Sequence, residues 1–239
     1  TMFFLIARED LDRVLTALQE HGRIIGPRIQ DQIFGHRDIA SSRDFPAGWT
    51  FEQAGGTFRL RPGHDQSLFG YTVGQDSWKK ELYPPRSRLL SLKKSQSSFS
   101  VTPEQPSPEK VVFFGVRPCD LAAIRIQDII LTQGPFVDPE YLQRREKAMI
   151  VVMECTRPAA TCFCASMGTG PGVVSGYDLA LTEVVEEGLH YFLIRADTEK
   201  GRSVIAGLGL AEASEQDITR GKNLVSAAAS GMGRTMKTK

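Results

Sequence analysis

Four cysteines are the residues of this sequence best suited to chemistry, and all of them lie between residues 119 and 164 of the 239-residue chain. They are Cys119, Cys155, Cys162 and Cys164. Four thiolates match the ligand number of a [4Fe–4S] cluster, and they also match that of a tetrahedral zinc ion. The sequence therefore predicts a metal centre with these four cysteines as its ligands.

The spacing of the cysteines does not decide between the two metals. Structural zinc sites usually draw their ligands from two short C-x₂₋₄-C pairs, whereas this chain has a lone Cys119, a distant Cys155 and then a C-x-C pair. The C-x₂-C-x₂-C spacing of bacterial ferredoxins is not found either. In a third interpretation the cysteines are small buried hydrophobic side chains without a metal, which suits Cys119 and Cys155 better than the C-x-C pair.

The residues around the cysteines favour a cluster. Thr161, Ser166 and Gly168 lie beside or just after the C-x-C pair, where hydroxyl and backbone N–H groups can donate to cluster sulfurs. Arg117 would balance the negative charge of a thiolate-ligated cluster, with a surface ion pair as the alternative role. We therefore assign these four residues to cofactor binding. Asp120 is interpreted as a helix cap rather than as a metal ligand.

Two apolar runs explain how distant cysteines meet. V-V-F-F-G-V (111–116) precedes Cys119, and M-I-V-V-M (149–153) precedes Cys155. Such runs are typical of parallel strands that are buried on both faces. If the two strands are neighbours, their cysteines emerge side by side at the carboxyl edge of the sheet, where open α/β folds bind their ligands.

The first part of the chain has weaker patterns. Apolar residues at helical spacing predict an amphipathic helix over Glu9–Glu20. Residues 23–75 contain glycine, proline and short alternating runs, such as 57–61 and 68–73, and indicate a small antiparallel β-rich subdomain. The polar tract Ser91–Lys110 is typical of a surface loop or linker.

The second half has a clearer rhythm. A helix is predicted from near Asp120, and a second, charged helix over Asp138–Lys147 leads into the second apolar strand. Residues 178–196 indicate a hairpin, and helices are predicted near 199–208 and 214–232. A strand–helix–strand unit of this kind favours parallel pairing of its strands.

These elements predict an α/β fold with a mixed sheet, whose parallel strands deliver the cysteines, and a small β-rich N-terminal subdomain. The predicted division is residues 1–90 for the N-terminal helix and subdomain, 91–110 for the linker, and 111–239 for the cluster-binding domain with a C-terminal helical connector. A single integrated domain is the alternative.

Composition excludes several classes of partner. The formal net charge is +1, with 41% hydrophobic and 24% charged residues. This balance gives no basis for binding nucleic acid or an anionic membrane surface, and the apolar runs are too short to span a bilayer. Four cysteines in a chain of this length do not indicate a disulfide framework. We therefore expect a cytoplasmic protein.

Four segments together resemble one protein family. They are Y-T-V-G-Q-D-S-W-K-K-E-L-Y-P-P (71–85), F-G-V-R-P-C-D-L-A-A-I (114–124), C-T-R-P-A-A-T-C-F-C-A-S-M-G-T-G-P (155–171) and Y-D-L-A-L-T-E (177–183). The family comprises the beta subunits of sulfhydrogenase-type soluble [NiFe] hydrogenases and the A subunits of anaerobic sulfite reductases. The resemblance covers nearly the whole chain, and the cysteine blocks are its most specific part.

The resemblance implies one [4Fe–4S] cluster on the four cysteines and a role in electron transfer. We identify no catalytic residues in the sequence. It implies two partners, a flavin-containing NAD(P)H oxidoreductase subunit and a catalytic metal subunit. The family's C-terminal dicluster ferredoxin motif is not present here, so we expect a truncated piece of a family member. Two other functions stay open: a zinc-stabilised interaction module, and a flavin-binding reductase domain with residues 166–176 on a flavin phosphate.

Overall fold

The computed structural model describes residues 2–72, 74, 76–96, 98–103, 108–186 and 188–237. The strands in these ranges are β1 (Phe4–Ala7), β2 (Arg23–Gln30), β3 (Ile33–Asp38), β4 (Trp49–Ala54), β5 (Thr57–Pro62), β6 (Leu90–Lys94), β7 (Phe99–Pro103), β8 (Val111–Val116), β9 (Ala148–Met153), β10 (Leu179–Glu186), β11 (Leu189–Ala196) and β12 (Ala211–Glu212). The helices are α1 (Leu11–Gln19), α2 (Lys79–Leu82), α3 (Pro118–Thr132), α4 (Pro139–Lys147), α5 (Glu199–Leu208) and α6 (Glu215–Ser230).

One mixed sheet of eight strands organises the molecule, in the order β12-β1-β11-β10-β9-β8-β2-β3. Its centre is parallel, because β8 pairs in parallel with both β2 and β9, and β9 does so with β10. The outer strand pairs are antiparallel. This arrangement confirms the predicted α/β class. None of the helices in the described ranges has the length and apolar character needed to cross a membrane.

The central strands have a hydrophobic core on each face, because successive side chains of a strand point to opposite sides. Phe114 and Val151 pack in a core that also contains residues of α1 and α5. Phe113 and Ile150 pack in a second core with residues of α3 and α4. Burial on both sides explains why β8 and β9 are almost continuously apolar.

Most predicted helices and strands are confirmed. The helix predicted over Glu9–Glu20 is α1 with a preceding 3₁₀ turn, and the hairpin predicted within 178–196 is β10–β11. The helix expected near Asp120 begins earlier, at Pro118, because proline is well accommodated in a first helical turn. Asp120 therefore lies inside the first turn and not at the cap position. From the first turn its carboxylate still complements the helix dipole.

The N-terminal strands β2 to β5 divide between the main sheet and a small sheet of their own. Strand β2 pairs in parallel with β8, so β2 and β3 extend the main sheet, whereas the β4–β5 hairpin forms a separate two-stranded antiparallel sheet. Ile24 and Ile25 are both 2% exposed and pack on opposite faces of the main sheet, which explains the pairing. The division into domains stays a prediction.

The run 68–73 is not a strand over its described residues, and that prediction is wrong. Its peptide groups are bound by two charged side chains instead of a neighbouring strand. The Leu68 and Phe69 N–H groups donate to the Glu183 carboxylate at 2.7 and 2.9 Å, and the Phe69 and Tyr71 carbonyls accept from Arg117 at 2.7 and 2.6 Å. Residue 73 lies outside the described part.

The polar tract 91–110 contains a hairpin rather than only a loop. Strands β6 and β7 pair antiparallel, and Leu92 faces Val101 across the pair. Both strands alternate apolar and polar residues, as is typical of strands, but the many serines and lysines around them led to the prediction of a loop. Residues 97 and 104–107 lie outside the described ranges.

His36 on β3 stacks on Trp78, with ring centroids 3.8 Å apart. Burial lowers the pKa of His36 from its ordinary 6.5 to about 4; Asp76 opposes this shift, whereas Lys80 and Arg37 add to it. The native state therefore holds this ring neutral at pH values where an unfolded chain would protonate it.

We expect stability to fall as the pH drops from 6.5 towards 4, because the unfolded state binds the additional proton in this window. The full shift corresponds to about 3 kcal/mol. Replacing His36 with phenylalanine keeps an aromatic ring beside Trp78 and should flatten this part of the pH profile, measured by urea unfolding of both proteins. An unchanged slope in His36→Phe would contradict the assignment.

Candidate metal centre

Cys119 and Cys155 lie at the same edge of the sheet. They follow the neighbouring parallel strands β8 and β9, which both end there, and Cys119 falls in the first turn of α3. The Cys155 N–H donates to the Pro171 carbonyl at 3.1 Å, which fixes the backbone just beyond β9. The prediction that the two apolar runs are parallel neighbours is confirmed.

A glycine-rich loop of tight turns, residues 156–176, carries the second pair of cysteines. The Cys162 N–H donates to the Ala159 carbonyl at 3.0 Å, and the Ala159 N–H donates to the Cys162 sulfur at 3.3 Å. A Cβ atom on Gly170 would lie 3.0 Å from the Cys164 sulfur. Glycine at this position therefore lets the chain pass close to the thiol on its way back to Cys155.

The thiols influence one another's ionisation. Interaction between the Cys119 and Cys164 thiols raises the pKa of Cys119 far above its ordinary value and lowers the pKa of Cys164 to about 7. Burial raises the pKa of Cys155 to about 11; the Arg117 charge opposes this, whereas Cys164 and Cys162 add to it. Cys164 can therefore ionise near neutral pH, and the thiolate is the form that binds metal.

All four cysteines are free thiols and partly buried. Within the described ranges, however, no three histidine, cysteine, aspartate or glutamate side chains gather around a point that would hold a metal ion. The structure therefore brings the thiols to one region, while joint ligation of a metal by all four stays a prediction.

Arg117 is a buried cation beside the thiols, with only 2% of its surface exposed, so the alternative of a surface ion pair is wrong. Burial lowers its pKa, but electrostatic interactions with nearby acidic groups, first Cys155, then Tyr71, Cys119 and Glu183, outweigh this and raise it. Its Nε has no hydrogen-bond partner in the described residues. The guanidinium donates to four backbone carbonyls, those of Phe69, Tyr71, Met153 and Glu154.

The other predicted cofactor-binding residues bond within the protein. The Thr161 hydroxyl donates to Gln53 Oε1 at 2.6 Å, and the Ser166 hydroxyl donates to the Phe163 carbonyl at 2.8 Å. Gly168 has a φ of +65° and allows the loop to turn in the left-handed region. Arg117 is therefore brought to the thiols, whereas these two hydroxyls stabilise the loop.

A C-terminal segment, residues 232–236, crosses the cysteine loop and was not foreseen. The Met232 sulfur lies 3.8 Å from the Cys164 sulfur, and the Arg234 N–H donates to the Cys162 carbonyl at 3.2 Å. No spacing in the sequence connects this segment with the cysteines. It places a soft thioether next to the candidate site.

A buried ion pair beside Cys155 was also missed. Glu154 and Arg195 are 8% and 9% exposed, and Arg195 Nη2 donates to Glu154 Oε1 at 2.8 Å. The same carboxylate accepts from the Thr182 hydroxyl at 2.6 Å and from the Val173 N–H at 2.9 Å. The only signal in the sequence was a glutamate directly after an apolar strand.

The sequence has a moderate similarity to a subunit of a known hydrogenase. The chain is 32% identical over 127 residues to the beta subunit of sulfhydrogenase 2 from Pyrococcus furiosus. The aligned part covers 53% of this chain and 34% of the relative, so the chain spans about a third of that subunit's length. No family model matches the sequence, and no solved structure matches it. Over about half of its length, the chain is therefore similar to a hydrogenase beta subunit.

Proposed function

We propose that this chain carries one [4Fe–4S] cluster and passes single electrons within a hydrogenase-type oxidoreductase complex. The proposed ligands are the four free cysteines, Cys119, Cys155, Cys162 and Cys164. When bound, such a cluster supplies one-electron transfer at a potential that hydrogen bonds and nearby charges adjust. Neither cluster binding nor electron transfer requires a catalytic residue in the chain itself.

The observation that carries the proposal is the unpaired charge of Arg117. Each hydrogen bond that its guanidinium makes within the described residues goes to a neutral backbone carbonyl. The buried Glu183 carboxylate also raises the pKa of Arg117, but among the described residues it lies against His190 and forms no ion pair with Arg117. Burying a cation without a directly paired counter-ion is unfavourable. A thiolate-ligated cluster is an anion, and the neighbouring Cys119 and Cys155 thiols already raise the pKa of Arg117. The donor set therefore fits an anionic sulfur centre better than an apolar core.

Two features of the chain support this use. Cys164, with its pKa lowered to about 7, supplies a thiolate near neutral pH, and the Met232 thioether covers its sulfur. Arg117 would offset the negative charge of a bound cluster. Its hydrogen bonds to the Met153 and Glu154 carbonyls also connect the backbone just before Cys119 with the backbone just before Cys155. The Arg117 charge would also stabilise a zinc ion with four thiolate ligands, which has a net negative charge. The experiment below therefore has to distinguish zinc from iron.

The similarity to a sulfhydrogenase subunit supports a place in a multi-subunit hydrogenase complex, and the proposed partners are those that the family resemblance implies. They are a flavin-containing NAD(P)H oxidoreductase subunit and a catalytic metal subunit, in the cytoplasm. The likeness of the cysteine blocks to anaerobic sulfite reductase A subunits makes sulfite reduction the second context for the same electron-transfer role.

Metal and sulfide analysis of the anaerobically purified chain, with its absorption spectrum, tests the function. We expect brown protein with broad visible absorption that bleaches on reduction, and about four iron atoms and four sulfides per chain. Colourless protein containing stoichiometric zinc would contradict the proposal in favour of an interaction module. Yellow protein that releases a fluorescent flavin on denaturation would contradict it in favour of a reductase domain.

A further inference from the structure

Tyr71 has a buried hydroxyl without a partner. The residue is 4% exposed, and its phenolic oxygen has no hydrogen-bond partner in the described part of the chain. A buried hydroxyl that makes no hydrogen bond costs free energy, so native proteins rarely retain one without a reason. The neighbouring aromatic rings, Phe34 and Phe51, provide no acceptor for it.

Its position is fixed by Arg117. The Arg117 Cζ lies 4.6 Å from the centre of the Tyr71 ring, and Arg117 Nη2 donates to the Tyr71 backbone carbonyl at 2.6 Å. Through Nη1 the same guanidinium donates to the carbonyl of Glu154 at 3.3 Å, directly before Cys155. Tyr71 is thus connected by one side chain to the backbone at both Cys119 and Cys155.

Two unpartnered donors belong to side chains in contact with each other, since the Arg117 Cζ lies 4.6 Å from the centre of the Tyr71 ring, and the Cys155 thiol influences the pKa of both groups. They are the Tyr71 hydroxyl and Arg117 Nε, both buried and both without an acceptor in the described residues. Burial raises the pKa of Tyr71; Arg117 opposes this shift, while Glu183 and Cys155 add to it, so the phenol stays protonated and able to donate. Donors that lack acceptors next to thiols are matched by an anionic sulfur group.

We propose that the Tyr71 hydroxyl donates a hydrogen bond to a sulfur atom of the metal centre, on the side of Cys155, and thereby raises its reduction potential. This inference rests on the proposed function. Reduction adds one electron and one negative charge to the centre, so a hydrogen bond to its sulfur is stronger in the reduced state. Tyr71 therefore stabilises the reduced form more than the oxidised form.

The test compares Tyr71→Phe with the wild-type chain, both loaded with iron and sulfide under anaerobic conditions. A redox titration with dithionite and dye mediators should show that Tyr71→Phe lowers the equilibrium constant for one-electron reduction by roughly tenfold, or about 59 mV. Tyr141→Phe is the matched control, because Tyr141 is also buried but its hydroxyl has a partner, the Asp128 carboxylate at 2.7 Å. That variant should keep the wild-type potential.

A second measurement separates this role from a structural one. In the metal-free state Tyr71→Phe should unfold at the same urea concentration as the wild type or a higher one, because it removes a hydroxyl without a partner. A lower urea midpoint would overturn the inference, since the hydroxyl would then have a partner within the protein. An unchanged potential at full iron content would also overturn it and leave the proposed function intact. Wild-type protein that takes up no iron would instead contradict the proposed function.

Discussion

Replacing Cys164 with serine is expected to remove the bound iron and the visible absorption of the protein. Cys164 is the thiol whose pKa is lowered to about 7, and its loop has little apolar material of its own to hold it in place. The binding free energy of a metal centre becomes folding free energy for the segment that supplies its ligands. We therefore expect residues 156–176 to become sensitive to proteases, while strand β8 and its core stay folded.

Ser166→Ala is the control in the same loop. It removes the hydroxyl that donates to the Phe163 carbonyl and accepts from the Met236 N–H, at a cost of about 1 kcal/mol for each bond, and leaves every thiol in place. Iron content should stay at the wild-type level in this variant. If Cys164→Ser kept wild-type iron and absorption after anaerobic purification, ligation by the four cysteines would have to be abandoned.

Replacing Arg195 with methionine should give the largest loss of stability. The change leaves the Glu154 carboxylate buried without its cation, and breaking a buried pair in this way costs roughly 3–5 kcal/mol. That is a large share of the roughly 5–15 kcal/mol that holds a typical domain folded. Urea unfolding of the metal-free chain measures the loss.

The double variant Glu154→Leu with Arg195→Met is its control. Removing both charges leaves no unpaired ion, so most of the lost stability should return, although the Val173 N–H and the Thr182 hydroxyl lose an acceptor. A single variant as stable as the wild type would show that the pair contributes nothing. A double variant less stable than Arg195→Met would show that Glu154 stabilises the fold through its other bonds.

The sequence predicted the frame of the candidate site well, because that frame depends on short-range patterns. Strands β8 and β9 are continuous apolar runs, and such runs are typical of central parallel strands. Two cysteines that directly follow such strands had to emerge at one edge once the strands paired. Helix α1 was equally accessible because its apolar spacing is local, and the charged helix α4 directly follows its cap residue Asp138.

Other parts could not be predicted, because their partners are remote in the chain. Glu183 binds amides 114 and 115 residues away, and no periodicity in the sequence reports such a bond. The run 68–73 has the alternation of a strand, yet two charges take the place of a neighbouring strand. The contact between Met232 and Cys164, which are 68 positions apart in the sequence, likewise forms only in the folded protein.

The hydrogen bonds of residues 68–72 indicate that this segment folds late. The Leu68 and Phe69 N–H groups bind Glu183, which follows them by 115 and 114 residues. The Phe69 and Tyr71 carbonyls bind Arg117, which follows them by 48 and 46 residues. Contacts of such sequence separation form slowly, because the entropy of closing long loops is lost first. Tyr71 is therefore expected to reach its place only after the central sheet has assembled. We therefore expect folding to position Tyr71 and Arg117, and metal binding to order the cysteine loop.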